Sequence, residues 1–463
     1  VAFVISALLL ELFFHQGMSA NPGSRLMTVM AVVEDHTLQA DRWADSIADK
    51  AVIDGHIYSD KAPFSSFLVV PFYALWRAFH GWADFEFRQE VALHISNLVA
   101  ATLPFLIVGL LVFSQLRRLG QVRAAQVALL AMFSTCLFQY GHTYYGHMLS
   151  ACLLLGSYVL AVKKGRCFWA GLLGGLGVIT EYPIFLPEAI IGLWLLGPRV
   201  SGWRRTLAFG LGAIPPCVGL LVYNWVLTGN ALSLSYSHVT DDWAPMRLAF
   251  GMRLPSVEAA WELLFGQYRG VLFWAPTLGL LIPLALRKPF GQAARRQHRL
   301  LLALAISGFV FVCSYFKWDG GWCIGPRHLT PFMVLGLYEG AGHLAADWRL
   351  YRVPFTLLAA GGIFANLAAA ATDPILSEEY KHPLFDVTLP QLAQNQLNDH
   401  NLPHELWGWP NRWWLLLVWA GLFGCSLGLL RLVGRLQAGH VLAEPRQALP
   451  DRASTVETGR KER

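Results

Sequence analysis

Charge is scarce in this sequence. Asp, Glu, Lys and Arg make up 14% of the 463 residues, where soluble domains carry roughly a quarter. An ordinary soluble enzyme of this length is thereby excluded. Cysteine is sparse and scattered. The seven residues at 136, 152, 167, 217, 313, 323 and 425 include no CxxC pair and no Cys/His metal spacing, so they read as small buried apolar residues. No short basic loop contains a Gly-rich phosphate-binding pattern, which argues against ATP or a nucleotide-sugar taken from the cytosol. No internal repeat is evident. The net charge of +6 comes from dispersed residues and does not point to nucleic acid.

What is abundant is apolar sequence in long runs, such as Val91–Phe113, Leu207–Leu227, Leu300–Tyr315 and Trp413–Leu432. A helix needs ~20 mostly apolar residues to cross ~30 Å of hydrocarbon, and a spanning backbone must be helical to satisfy its own hydrogen bonds. The pattern predicts an all-α polytopic membrane protein with about 12 transmembrane helices. The expected spans are 1–14, 91–114, 122–140, 147–162, 167–180, 182–198, 206–228, 270–286, 300–316, 328–346, 353–372 and 412–433. The run Val1–Phe14 reads as the remainder of a first membrane helix trimmed at its start.

The basic residues orient this layout. With the N-terminus inside, the short inside loops hold Arg117, Arg118 and Arg123; Lys163, Lys164 and Arg166; Arg199, Arg204 and Arg205; Arg287, Lys288, Arg295, Arg296 and Arg299; and Arg349 and Arg352. Every one is basic, as the positive-inside rule requires. Counting Ser65–His80 as a span would reverse this pattern, so 64–84 reads as an interfacial helix on the outer face, with Trp76 and Trp82 at headgroup level. The transmembrane domain then covers 1–436, with outer segments 15–90, 229–269, 317–327 and 373–411. Residues 437–463, polar and Pro-containing, read as a disordered cytoplasmic tail. Both termini are inside.

Costly polar groups gather on the outer side. The first outer segment contains Arg25, then Glu34, Asp35, Asp41, Asp45, Asp49 and Asp54, then His56 and Tyr58-Ser59-Asp60-Lys61-Ala62-Pro63. A lysine at the headgroup plane is placed to hold a lipid phosphate. His142-Thr143-Tyr144-Tyr145-Gly146-His147 joins two helices, Glu181 lies in Thr180-Glu181-Tyr182-Pro183, and Arg269 begins another helix. The segment from Lys317 to His328 packs Trp318, Asp319, Trp322 and Arg327 among four Gly or Pro residues. An ionisable group at a membrane helix end is a functional candidate by default.

At these residues the sequence resembles the GT-C superfamily of polyprenyl-phosphate-dependent glycosyltransferases, nearest in pattern to protein O-mannosyltransferase-like enzymes and aminoarabinose transferases. The resemblance covers most of 1–345. The family's acidic pair before an arginine in loop 1 is matched at Arg25 only, the acidic positions falling on Pro22 and Gly23. Its acidic-Lys-Pro element is matched by Asp60-Lys61-Ala62-Pro63, and its second outer acid falls at His147 or a neighbour. Thr180-Glu181-Tyr182-Pro183 and the stretch Trp318–Arg327 also look like segments of bacterial members.

The resemblance implies an inverting transfer of a sugar from polyprenyl phosphate to a hydroxyl of a lipid, glycan or protein, on the outer face of a bacterial inner membrane. Lys61, Arg25, Arg269 and Arg327 are the candidates for binding the donor phosphate. Asp49, Asp60 and Glu181 are the candidates for the general base, with no choice among them. His56, Tyr58, His142, Tyr145, His147, Trp318, Asp319 and His328 are candidates for contacting sugar or acceptor. His56, His142 and His147 are also candidates for a divalent cation, although no ligand spacing defines one. Two other classes remain open: a transporter or flippase of a lipid-linked substrate, and a non-catalytic membrane assembly subunit of the same fold.

Overall fold

The computed structural model describes residues 1–14, 17–43, 47–197, 202–240, 243–247, 249–287, 292–410 and 413–443. Their structure is mostly helical, and a helix lies on each of the twelve apolar runs. Six helices are long and apolar enough to cross a membrane: Phe85–Leu119, Gly146–Lys163, Trp203–Thr228, Ala294–Cys313, Trp348–Ala371 and Trp414–Leu436. Six further apolar helices have 10–17 residues, among them Ala2–Phe13, Cys167–Val178 and Tyr182–Leu195. The last helix continues to Ala443, so the first residues of the expected tail are helical; the rest lie outside the described residues.

Burial separates the centre of the bundle from its edge. In Gly146–Lys163, 72% of the apolar window is buried, against 17% in Trp414–Leu436. Glycine allows the closest helix approach. A Cβ on Gly171 would lie 1.8 Å from the Phe209 carbonyl oxygen, and one on Gly212 would lie 2.0 Å from that of Phe168. Helix Cys167–Val178 therefore packs backbone to backbone on Trp203–Thr228, as small residues permit in membrane bundles.

The first outer segment builds a small core of its own. Leu26, Met30, Trp43, Val69, Tyr73 and Leu93 cluster apart from the main core. Glu34 fastens it, accepting from the Tyr73 hydroxyl at 2.7 Å, Arg77 Nε at 2.9 Å and Arg88 Nη1 at 2.7 Å. Strands Ala51–Ile53 and His56–Tyr58 form a hairpin whose turn residues, Asp54 and Gly55, both have positive φ, as a tight two-residue turn demands. Helix Phe64–Phe79 buries the stripe Ser65, Ser66, Val69 and Tyr73. Its opposite side exposes Phe67, Phe72, Leu75 and Phe79. It is 16 residues long, about 24 Å at 1.5 Å per residue.

Candidate active site

Three pieces of the first outer segment meet at Lys61. The ammonium lies 2.8 Å from Asp49 Oδ2 and 2.8 Å from Asp60 Oδ2, and all three side chains are buried. Asp60 is held further by Ser24 Oγ, which donates to its Oδ1 at 2.8 Å. The Ser59 hydroxyl lies 2.9 Å from that of Ser24 and accepts from the Lys61 backbone N–H at 3.2 Å. From the second outer segment, Ser235 Oγ donates to the Asp60 carbonyl at 2.9 Å.

Burial alone would raise the Asp49 pKa. The Lys61 ammonium, helped by Arg327 and Arg25, overcomes that and holds it below the ordinary value. Burial alone would lower the Lys61 pKa, and Asp49 and Asp60 reverse this, so it stays charged. One lysine between two carboxylates leaves a site with negative charge in excess until a further cation is counted.

Arg327 is that cation. Its guanidinium sits 5.0 Å from the centre of the Tyr145 ring. Among the described residues it makes no ion pair, and its Nε has no hydrogen-bond partner. The loop that presents it is held from behind by Arg269, whose Nε, Nη1 and Nη2 donate to the carbonyls of Asp319 at 2.6 Å, Cys323 at 2.6 Å and Gly321 at 2.7 Å. Gly320, Gly321 and Gly325 have φ of 79°, 65° and 69°, which lets the carbonyls turn inward where an L side chain would be strained. Tyr140 and Tyr145 hydroxyls donate to the carbonyls of Ile324 and Trp322. Asp319 accepts from Gly321 N–H at 3.0 Å and from Tyr268, and Trp318 packs on the core. Arg269, Asp319 and Trp318 thus shape the loop.

Arg25 is equally committed. Its Nε donates to Asn21 Oδ1 at 3.2 Å, its Nη1 to Ser65 Oγ at 2.6 Å and its Nη2 to Glu181 Oε1 at 2.5 Å. Glu181 also approaches His147 Nδ1 at 3.8 Å, and the His147 ring is 5.3 Å from that of His328. Gly146 makes room for the pair. A Cβ there would lie 2.3 Å from Glu181 Oε1 and 2.8 Å from Arg25 Nη2. Gly146→Ala is therefore expected to destabilise the protein by about 1–3 kcal/mol through overpacking, rising to about 3–5 kcal/mol if the buried pair separates. A thermal melt of the purified protein checks this, and an unchanged melting temperature contradicts it.

Two cavities flank these charges. A polar one of about 840 Å³ is lined by Asn21, Asp49, Tyr145, Trp243, Lys317, Trp322, Arg327, Asp373 and Gln391, among others. An apolar one of about 360 Å³ is lined by His147, Glu181, Phe185, Tyr236, Phe250, Tyr315, His328 and Phe332, among others. Asp49 lines the polar cavity, whereas Asp60 and Lys61 line neither of the two.

The structure brings together Asp49, Asp60, Lys61, Arg25, Glu181, Tyr145, His147, Arg327 and His328. It places His56 elsewhere, on the exposed hairpin 2.8 Å from Asp41. Tyr58 packs against Ile53, Tyr223 and Leu227. His142 lies 3.3 Å from the buried Glu11, in the aromatic surroundings of Phe14 and Phe138. Sequence reading missed Ser24, Ser59 and Ser65 as partners, and missed that segment 372–400 walls the polar cavity. Among the described residues no group of three or more His, Cys, Asp or Glu side chains is arranged to hold a metal ion, so the divalent-cation candidates find no ligand set.

No family model and no curated protein sequence matches the chain. Solved structures do. ArnT from Cupriavidus metallidurans bound to undecaprenyl phosphate superposes with a TM-score of 0.51 at 18% identity, over 95% of this chain and 78% of that one. Its apo state gives 0.49 at 17% identity, over 93% and 71%. The archaeal oligosaccharyltransferase AglB from Archaeoglobus fulgidus, in complex with an inhibitory peptide and a dolichol-phosphate, gives 0.44 at 12% identity, over 81% and 54%. At such identity the likeness is one of fold: the chain has the fold of ArnT from Cupriavidus metallidurans.

Proposed function

We propose that the chain is a membrane glycosyltransferase that moves a sugar from a polyprenyl-phosphate donor to an acceptor hydroxyl on the non-cytoplasmic face, with inversion. The observation that carries this reading is the buried Asp49–Lys61–Asp60 cluster with Arg327 beside it, flanked by one polar and one apolar cavity. ArnT, which shares the fold, has been solved bound to undecaprenyl phosphate.

The chemistry follows from the charges. The acceptor oxygen bonds to the anomeric carbon as the bond from that carbon to the phosphate oxygen breaks. The phosphate leaves with the electron pair and needs cations in place where its charge grows. Arg327 lines the polar cavity and Lys61 sits on Asp49, which lines it too, so these two are assigned that role; Arg25 and Arg269 have a protein acceptor on every guanidinium nitrogen. Asp49 takes the acceptor proton as general base, since it alone of the cluster's acids faces the polar cavity. Glu181, His147 and His328 line the apolar cavity, through which the prenyl chain approaches its phosphate. The acceptor, a hydroxyl on a lipid, glycan or protein, enters the polar cavity, where Gln391 Oε1 and Arg327 Nε lack partners among the described residues.

The membrane layout belongs to the same proposal. The bundle crosses about 12 times with both termini cytoplasmic. The Phe64–Phe79 helix lies at the outer interface with its apolar side to the lipid, since counting it as a crossing would put the basic loop of Arg117, Arg118 and Arg123 outside.

Purified protein in liposomes, given a polyprenyl-phosphate donor with a labelled sugar, is expected to cleave the donor and to transfer the label to a hydroxylated acceptor. Movement of intact donor between leaflets without cleavage sinks this reading and supports a flippase. Neither cleavage nor movement supports a non-catalytic subunit.

A further inference from the structure

The opposite end of the molecule carries a second group of cations that the proposed reaction does not use. A groove of about 630 Å³ opens between the start of helix Gln121–Phe133 and the first turns of helix Trp348–Ala371. Arg123, Arg349 and Arg352 line it, together with Trp348, Val353 and Leu357. The far end of helix Trp348–Ala371 leads to Thr372 in the wall of the polar cavity. The helix has 24 residues, about 36 Å at 1.5 Å per residue, with the groove along its first turns and the polar cavity beyond its far end.

We infer that this groove binds an anionic phospholipid, with its phosphate among Arg123, Arg349 and Arg352 and an acyl chain along Val353 and Leu357. All three arginines are exposed, and none makes an ion pair among the described residues. The nearest acid in sequence, Asp347, is already paired with Arg287 at 2.9 Å. Glu339, one helix earlier, is engaged by Lys163. Arg431 adds to the excess by lining an adjoining groove that also contains Arg123. Each of the three arginines sits in or next to the first turn of its helix, where the helix end is itself positive. Three arginines and two helix N-termini thus converge on one groove, and no carboxylate among the described residues lines it.

A free phosphate would answer the charge but not the rest. Val353 is 60% exposed and Leu357 69% exposed, and at four-residue spacing they continue the arginine face along the helix. Trp348 stands at the same level as the arginines, the position that tryptophan takes at a membrane interface. Cations over an apolar strip match a headgroup over a chain.

The test uses the whole protein in nanodiscs of phosphatidylcholine with a minor fraction of phosphatidylglycerol, with co-purifying lipid measured by native mass spectrometry. Phosphatidylglycerol is expected to be retained in preference to phosphatidylcholine. Each single Arg→Gln change is expected to lower that preference roughly fivefold, and Arg123→Gln/Arg349→Gln/Arg352→Gln together roughly a hundredfold. Melting curves confirm that the variants are folded, and the single variants serve where the triple variant is not. Equal retention of the two lipids, or a preference untouched by the substitutions, overturns the proposal. Displacement of phosphatidylglycerol by millimolar inorganic phosphate also overturns it, because the groove would then be a simple ion site. The outcome is independent of whether the chain transfers sugar.

Discussion

Replacing Lys61 with alanine is expected to lower sugar transfer from a polyprenyl-phosphate donor by at least roughly a thousandfold. Removing one preorganised donor from a site of growing negative charge costs ~10²–10³ in rate, and here the donor is a buried full charge. The substitution also strands two buried carboxylates that share Lys61 at 2.8 Å each. Breaking a buried pair costs about 3–5 kcal/mol, so part of the loss reflects stability. A second variant separates the two. Lys61→Met combined with Asp60→Asn removes one charge of each sign and keeps the volumes close. It is expected to recover most of the melting temperature and none of the transfer. The measurement is initial rate per folded molecule at several donor concentrations, with the apparent KM for donor rising in both variants. Retention of a tenth or more of the wild-type rate in Lys61→Ala sinks the phosphate assignment.

Lys61 was legible because its signal is local. An acid, a lysine and a proline stand directly before an apolar helix, and the structure places them at the mouth of that helix. The bundle was legible for the same reason, since each apolar run carries its own length and its own flanking basic residues. Arg25 was a different case. Its guanidinium is committed by Ser65 and by Glu181, 156 positions away, and no pattern around Arg25 announces partners at that distance. Arg269 was hidden more deeply, because it holds three backbone carbonyls, and every residue has one. The segment 373–411 reads as an ordinary outer loop, yet Asp373, Gln391 and Asn398 wall the polar cavity. His56 and His142 were candidates because histidine is rare and versatile, a property of the residue type that says nothing about where the fold carries it. His56 ends on an exposed hairpin and His142 beside Glu11.

Asp49 and Asp60 show where composition stops and geometry decides. Both touch the same ammonium, but Asp60 is enclosed by Ser24 while Asp49 faces the polar cavity. Asp49→Asn is expected to reduce kcat by ~10²–10⁴, the range for loss of a positioned general base, with little change in donor affinity. Asp60→Asn is expected to act mainly on melting temperature and on the KM for donor, through the position of Lys61. Equal losses of kcat in the two variants contradict the assignment. The pH dependence gives an independent check. Burial acts to raise the Asp49 pKa, and Lys61 brings it below its ordinary value. A carboxylate depressed in the folded state stabilises the protein above its unfolded pKa of ~3.9 and loses that contribution as pH falls through the folded value. Asp49 in the free enzyme is therefore ionised throughout the neutral range, and the acid limb that it contributes to kcat/KM lies below the usual carboxylate range. Once donor phosphate draws on Lys61, the attraction that holds the Asp49 pKa down weakens while its burial persists, so its affinity for a proton rises. The acid limb of kcat, which reports the donor complex, is then expected at higher pH than that of kcat/KM. Lys61 in the empty site thus keeps its base ionised, and the arriving phosphate strengthens that base at the step that uses it.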